Sequence, residues 1–250
     1  MLHSQDMIEG VTVCLTCHQQ RHPGRSLTTS EYKVNTETWC AIPRMLKVDP
    51  NSSKIARTGS ISLVTYQIIF GIGWHLMNGN IEERMLTINR RNFARLIGKV
   101  PGTSFNKSFE TSLQQLDYVG IVCGYHITGN IVELHICPEY LKMLEENPWF
   151  VPLSEINTNS MVVLCLRLWL GMQSGRHNYY IGLEKLMGHI GITNTEKFKA
   201  VKTIKKALKQ ISWAKMEKGE ESLHFTLSSK RPTPIRPLRT ILTDVLQLAK

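Results

Sequence analysis

The sequence predicts an α+β chain in which one pattern of helices and strands occurs twice, and three observations predict it. A long apolar helical run, a short strand, two helical runs and a hairpin rich in β-branched residues follow one another between about residues 60 and 137, then again between about residues 160 and 228. Turn residues punctuate both copies: Gly98 and Gly191 stop a helix, while Gly129 with Asn130, and later Gly219, sit where hairpins reverse. The copies stand about 90 residues apart with negligible identity, a period longer than that of solenoid repeats. Helix, strand, helix, turn, helix, hairpin is the order of a winged helix. The chain therefore reads as two tandem winged-helix domains with an irregular N-terminal arm and a basic C-terminal tail. Arm and linker cover 1–58, the first domain 59–147, the second 148–230 and the tail 231–250.

Little periodicity marks the first fifty or so residues, and Pro43, Pro50 and the stretch from Asn51 to Ser53 read as an arm ending in a linker. SLVTYQIIFGIGWHLMN is then a long helix despite Gly71 and Gly73, with Leu63, Tyr66, Ile69, Phe70, Trp74 and Met77 on its buried side. MLTI is a short strand, and Asn89 caps the helix RRNFARLIG. After the turn KVPGTS, the helix FNKSFETSLQQLDY buries Phe105, Phe109, Leu113 and Leu116 and turns Lys107, Thr111 and Gln114 outward. GIVCGYHIT and NIVELHI form a hairpin, and PEYLKMLEEN closes the unit as a short helix.

In the second copy NSMVVLCLRLWLGMQSG is the long apolar helix, YYIGL the strand and LEKLMGHIG the second helix. The third, TEKFKAVKTIKKALKQI, has two faces. Phe198, Val201, Ile204, Leu208 and Ile211 recur every three or four residues as a core stripe, while Lys199, Lys202, Lys206 and Lys209 recur at the same spacing on another side. WAKMEK and SLHFTLSS make the second hairpin. In the tail, KRPTPIRPLR is basic and extended, and TILTDVLQLAK forms an amphipathic helix through Leu242, Val245, Leu246 and Leu248, suited to a partner or to packing back on the second domain.

Charge is unevenly placed. From Glu196 to the end the chain carries thirteen Lys and Arg against five Asp and Glu, out of a total of 30 against 20, so most of the net +10 lies in the last 55 residues. Such local basicity points to a polyanionic partner. No run reaches the roughly 18 apolar residues of a membrane span, and the opening MLHSQDMIEG lacks the marks of a signal peptide, which implies a cytoplasmic protein without a membrane partner. Cys123, Cys137 and Cys165 lie in apolar runs and read as buried thiols.

Catalytic patterns are missing. There is no Walker A loop, no His-x-His pair beside a tyrosine, and no carboxylate cluster legible in the spacing of Asp6, Asp49, Asp117 and Asp244, so the chain reads as a non-enzyme. His126 and His135 read as ordinary surface residues of the hairpin strands. One constellation has metal-like spacing: Cys14, Cys17 and His18 in CLTCH, with His22 nearby and Cys40 later, could complete a tetrahedral zinc site. An irregular arm without cofactor explains the same residues.

The stretch from VPLSEINTNS through KTIKKALKQISW resembles the second domain of the tandem winged-helix plasmid replication initiators, including iteron-binding and IncQ-type initiators. The resemblance rests on the Leu168-Trp169 pair in a helix, the Leu183 to Leu186 helix after a strand, and a basic helix ending near Ile211; residues of about 60 to 228 fit the architecture. It implies binding to repeated origin sequences in double-stranded DNA, help in opening an adjacent AT-rich duplex, and recruitment of a replicative helicase. In such initiators the basic helix mixes Arg with base-reading polar residues. Here lysines dominate, and Lys lacks the bidentate fork.

The expected DNA-binding residues are thus Asn106, Lys107, Thr111 and Gln114 in the first domain, as base readers, and Lys199, Lys202, Thr203, Lys206 and Lys209 in the second, mainly on phosphates. Self-association is a further expected contact. A winged-helix regulator or repressor, and a zinc-bearing nuclease or transposition factor, are the competing readings.

Overall fold

The computed structural model describes residues 39–43, 62–78, 81–173, 177–190, 192, 195–219, 222–228, 242, 243, 246 and 247. Strand β1 (Trp39–Pro43) comes first, followed by helix α1 (Leu63–Met77), strands β2 (Ile81–Glu82) and β3 (Met85–Asn89), helices α2 (Arg90–Leu96) and α3 (Thr103–Tyr118), and the hairpin of β4 (Val122–Thr128) and β5 (Ile131–Ile136). Helix α4 (Pro138–Glu146), strand β6 (Pro148–Pro152) and helix α5 (Leu153–Ile156) lead to the second unit. That unit holds α6 (Met161–Met172), β7 (Asn178–Gly182), α7 (Leu183–His189), α8 (Lys197–Leu208), β8 (Ala214–Lys218) and β9 (Ser222–Leu227).

The repeat read from the sequence is present as topology. One sheet runs β2-β3-β5-β4 and the other β7-β9-β8, so in each unit the strand before the second helix pairs with the last strand of the hairpin. Local chemistry sets the helix ends. The Ser62 hydroxyl accepts from Thr65 N–H at the start of α1, and the Asn89 carboxamide oxygen accepts from Arg91 and Asn92 N–H at the start of α2. At its end α2 closes on Gly98, whose φ of 71° lets Lys99 N–H reach Ala94 O at 2.7 Å and Gly98 N–H reach Arg95 O at 3.0 Å.

Helix α1 is enclosed on several sides. Ile68, Ile72 and Leu76 are wholly buried, whereas Leu63, Tyr66 and Trp74, expected on the buried side, are half-buried. Polar Thr65 and Gln67 are wholly buried and have partners: the Thr65 hydroxyl bonds Ser112 at 2.9 Å, and Gln67 Nε2 donates to the carbonyls of Ile156 and Thr158 at 2.8 and 2.9 Å. The two glycines of α1 are contact points. A Cβ on Gly73 would sit 2.0 Å from Ala41 O of β1, and one on Gly71 would sit 2.4 Å from the Phe93 ring.

Three boundaries differ from expectation. Strand β1 lies within the expected arm, yet it pairs antiparallel with β6, and Cys40, Ala41 and Ile42 are buried in the first core. Strand β6 and Ile156, expected in the second domain, belong to that core as well. So do Leu242 and Leu246 of the tail, which pack on the first core rather than the second. Helix α6 serves both: Leu164 and Leu168 join the first core, while Val163, Cys165, Leu166, Trp169 and Leu170 join the second. Being buried on opposite sides explains why its sequence is almost uniformly apolar.

Cysteines are likewise redistributed. Cys137 and Cys165 are buried as expected, but Cys123 is exposed beside an irregular register between Val122 and Gly124. Among the described residues no helix is long and apolar enough to cross a membrane.

Candidate nucleic-acid interface

Helix α8 is anchored by small residues. Ala200, Ile204 and Ala207 are buried, with Ile211 beyond the helix end, and Val201 and Leu208 are half-buried on the flanks. Phe198 is not in this stripe: 80% of its surface is exposed. The expected stripe opens with two successive steps of three residues, from Phe198 to Val201 to Ile204, and each such step falls about 60° short of a full turn. Its first member therefore swings out of the core, while the true seam advances by four, three and four residues through alanines.

The outward face divides into two stripes by helical spacing. Phe198, Lys202, Lys205 and Lys209 form one, and Lys199, Thr203, Lys206 and Gln210 the other; all eight are exposed. Two acids temper the first turn, where Lys197 Nζ lies 2.7 Å from Glu184 of α7 and Lys199 Nζ lies 3.2 Å from Glu196. The hydrogen bond and opposite charge between Lys197 and Glu184 raise the lysine's pKa and lower the carboxylate's, although both groups are solvated. Lys202, Lys205, Lys206 and Lys209 have no carboxylate within ion-pair distance among the described residues.

The second stripe borders an open groove of about 410 Å³, where Thr203, Lys206 and Gln210 face Asn159 and Ser160 at the start of α6. Lys99 of the first unit reaches the same edge, with Nζ 3.2 Å from Asn159 Oδ1, and partial burial lowers its pKa. Lysines from both units thus meet at one end of α6.

In the first unit the predicted readers do share one side of α3. Lys107, Thr111 and Gln114 are exposed and Asn106 is half-buried. Their chemistry is weaker than expected, since the Thr111 hydroxyl donates to Lys107 O at 3.1 Å, leaving only its lone pairs for a ligand. Glu110 and Asp117 are exposed on the same helix, so α3 lacks the positive field of α8. Glu110 is held 3.0 Å from Arg90, which also donates to Gly129 O at 2.8 Å and so fixes the hairpin turn against α3. Arg91 and Arg95, exposed four residues apart on α2, supply cations that the sequence reading passed over, although the Arg-Arg doublet was visible.

The zinc quartet does not gain support. Cys14, Cys17 and His18 lie outside the described residues. Cys40 is wholly buried in β1, its thiol donates to Val151 O at 3.1 Å, and burial pushes its pKa up, whereas zinc needs an accessible thiolate. Among the described residues no cluster of three or more His, Cys, Asp or Glu side chains is placed to hold a metal ion.

No protein-family model matches the chain, and no curated protein matches it. Among solved structures the chain is similar to the crystal structure of RctB domains 2-3, spanning residues 155–483 of RctB, at 11% sequence identity and a TM-score of 0.49, over 68% of this chain and 83% of that one.

Proposed function

We propose that the chain binds repeated duplex sequences at a replication origin and promotes its opening, as an initiator built from two winged helices. The observation that carries this reading is the outward face of α8, where Lys202, Lys205, Lys206 and Lys209 stand exposed with no acid beside them among the described residues. A helix held from behind by Ala200, Ile204 and Ala207 can enter a major groove as a rigid unit, and each lysine that neutralises a phosphate releases a condensed counterion. Two features add support. The strand order is shared by both units, which gives two helices in equivalent topological places, and the sequence between about residues 150 and 213 resembles the second domain of plasmid initiators. In this reading hairpin β8–β9 touches adjoining backbone through exposed Lys215 and Lys218, and α3 reads a neighbouring groove.

The test has two arms. The purified chain is titrated with a duplex of about 40 base pairs between about 50 and 200 mM salt, and replacing Lys202, Lys206 and Lys209 together by Ala is expected to flatten the slope of log affinity against log salt by about 0.9 per lysine. An unchanged slope removes α8 from the interface. The second arm asks whether the chain, supplied in trans, maintains a plasmid whose origin carries the bound repeats; duplex binding without maintenance would make the protein a regulator instead.

A further inference from the structure

Phe198 stands in the first turn of α8 with 80% of its surface in water. Burying a ring of this size contributes about 2 to 3 kcal/mol, so the fold forgoes a sizeable stabilisation by leaving it outside. Nothing in the core requires the ring, because Ala200 and Ile204 already fill the facing seam. Helical spacing sets it at the head of one stripe with Lys202, Lys205 and Lys209, four, seven and eleven residues on. Three ammonium groups in line with the ring select an anionic partner over an apolar protein surface.

Within that partner the ring has a specific complement. A helix laid in a major groove presents its N-terminal residues to base edges, and the apolar group displayed there is the C5-methyl of thymine. We infer that Phe198 reads thymine methyl groups in the major groove and gives the lysine helix a base preference that its ammonium groups lack. The inference rests on the proposal that α8 enters a major groove. The first unit has a smaller counterpart: Val100, 85% exposed, stands in the turn that leads into α3, so each unit offers an apolar side chain at the approach to its third helix.

A random duplex pool is enriched on the purified chain, and the winning site is remade with deoxyuridine replacing thymidine one position at a time. This deletes the C5-methyl and leaves base pairing intact. At one or two positions the unaltered chain is expected to lose about fourfold in affinity, the worth of one buried methyl-sized group. Phe198→Ala should bind the thymine and uracil forms equally, with its salt slope unchanged because no charge is lost. Phe198→Leu should keep most of the discrimination, since a branched aliphatic side chain still packs on a methyl group. The inference is overturned if the unaltered chain is indifferent to uracil everywhere, or if Phe198→Ala remains as sensitive as the parent. It is also overturned if both variants instead lose affinity for a single-stranded oligothymidylate, the mark of a ring that stacks on unpaired bases. Absence of salt-dependent duplex binding in the parent chain would separately remove the major-groove reading beneath it.

Discussion

Arg167 of α6 reaches back to Glu155 of α5, its Nε 3.4 Å from the carboxylate, while its remaining nitrogens donate to the carbonyls of Glu155 and Gln210 at 3.0 and 2.8 Å. Trp213 Nε1 donates to the same carboxylate at 3.3 Å, so one acid in the connecting segment meets a helix and a loop of the second unit. The ion pair is largely enclosed but is a charge contact without hydrogen-bond alignment. Glu155→Ala leaves Arg167 near-buried with carbonyl partners only and is expected to cost about 2 kcal/mol. In urea denaturation its transition should shift to lower concentration, and Glu155→Ala with Arg167→Met should recover part of the loss. Full additivity of the two changes would mean the pair is not coupled.

Gly73→Ala tests the seating of β1. Its new methyl would meet the backbone oxygen of Ala41, which cannot rotate away as a side chain can. The expected loss is about 2 to 3 kcal/mol, read as a lower thermal midpoint. Wild-type stability in this variant would show that β1 does not press on α1.

Gln67→Leu removes the amide that satisfies the buried carbonyls of Ile156 and Thr158. Ile156 O keeps the Thr158 N–H at 2.9 Å, so the main loss is the donor to Thr158 O, expected to cost about 1 to 3 kcal/mol. Hydrogen exchange should report the damage first at Ile156 to Ser160, the approach to α6.

Stability should fall in mild acid because of His75. Burial lowers its pKa to about 4, and its ring stacks on Phe93 at 5.8 Å with the ring planes 6° apart. The unfolded chain takes up a proton near pH 6.5 that the folded state resists down to about pH 4, so the unfolded state binds more protons in that window. The contribution is therefore fully present above about pH 6.5 and is lost as pH falls toward 4, amounting to about 2 to 3 kcal/mol. His75→Phe should flatten that part of the pH profile; an unaltered profile would assign the acid sensitivity elsewhere.

Regular elements with a local cause were legible in the sequence. The Asn89 cap, the Gly98 stop, the Gly129-Asn130 reversal and the α3 core of Phe105, Phe109, Leu113 and Leu116 all appear where their chemistry places them. Strand β1 was not legible, because five residues in an aperiodic segment become a strand only through pairing with β6 more than a hundred positions away. The seam of α8 was misread for another reason: alanines carry little hydrophobic weight, so Ala200 and Ala207 were invisible beside Phe198 although small residues let helices approach closely. At the candidate interface the lysines were plain from sequence, and Glu196 lies three residues before Lys199, but the pairing of Lys197 with Glu184 depends on how the fold sets α7 beside α8.

The path of the chain gives the shared helix α6 a mechanical meaning. The backbone passes from the first core to the second along α6, whose Leu168 is the last buried residue of the first core before Leu242 and Leu246, so in the order of cores the second unit is an insertion hung from two attachment points. A module on a single linker swivels freely, whereas one fastened at both ends and sharing a helix with its host behaves like the second jaw of a calliper. Any polymer that both α3 and α8 grip is then measured as well as held. Under the proposed function, a spacer of about five extra base pairs, half a helical turn, inserted between the repeats would turn the second grip to the opposite side of the duplex and is expected to weaken binding.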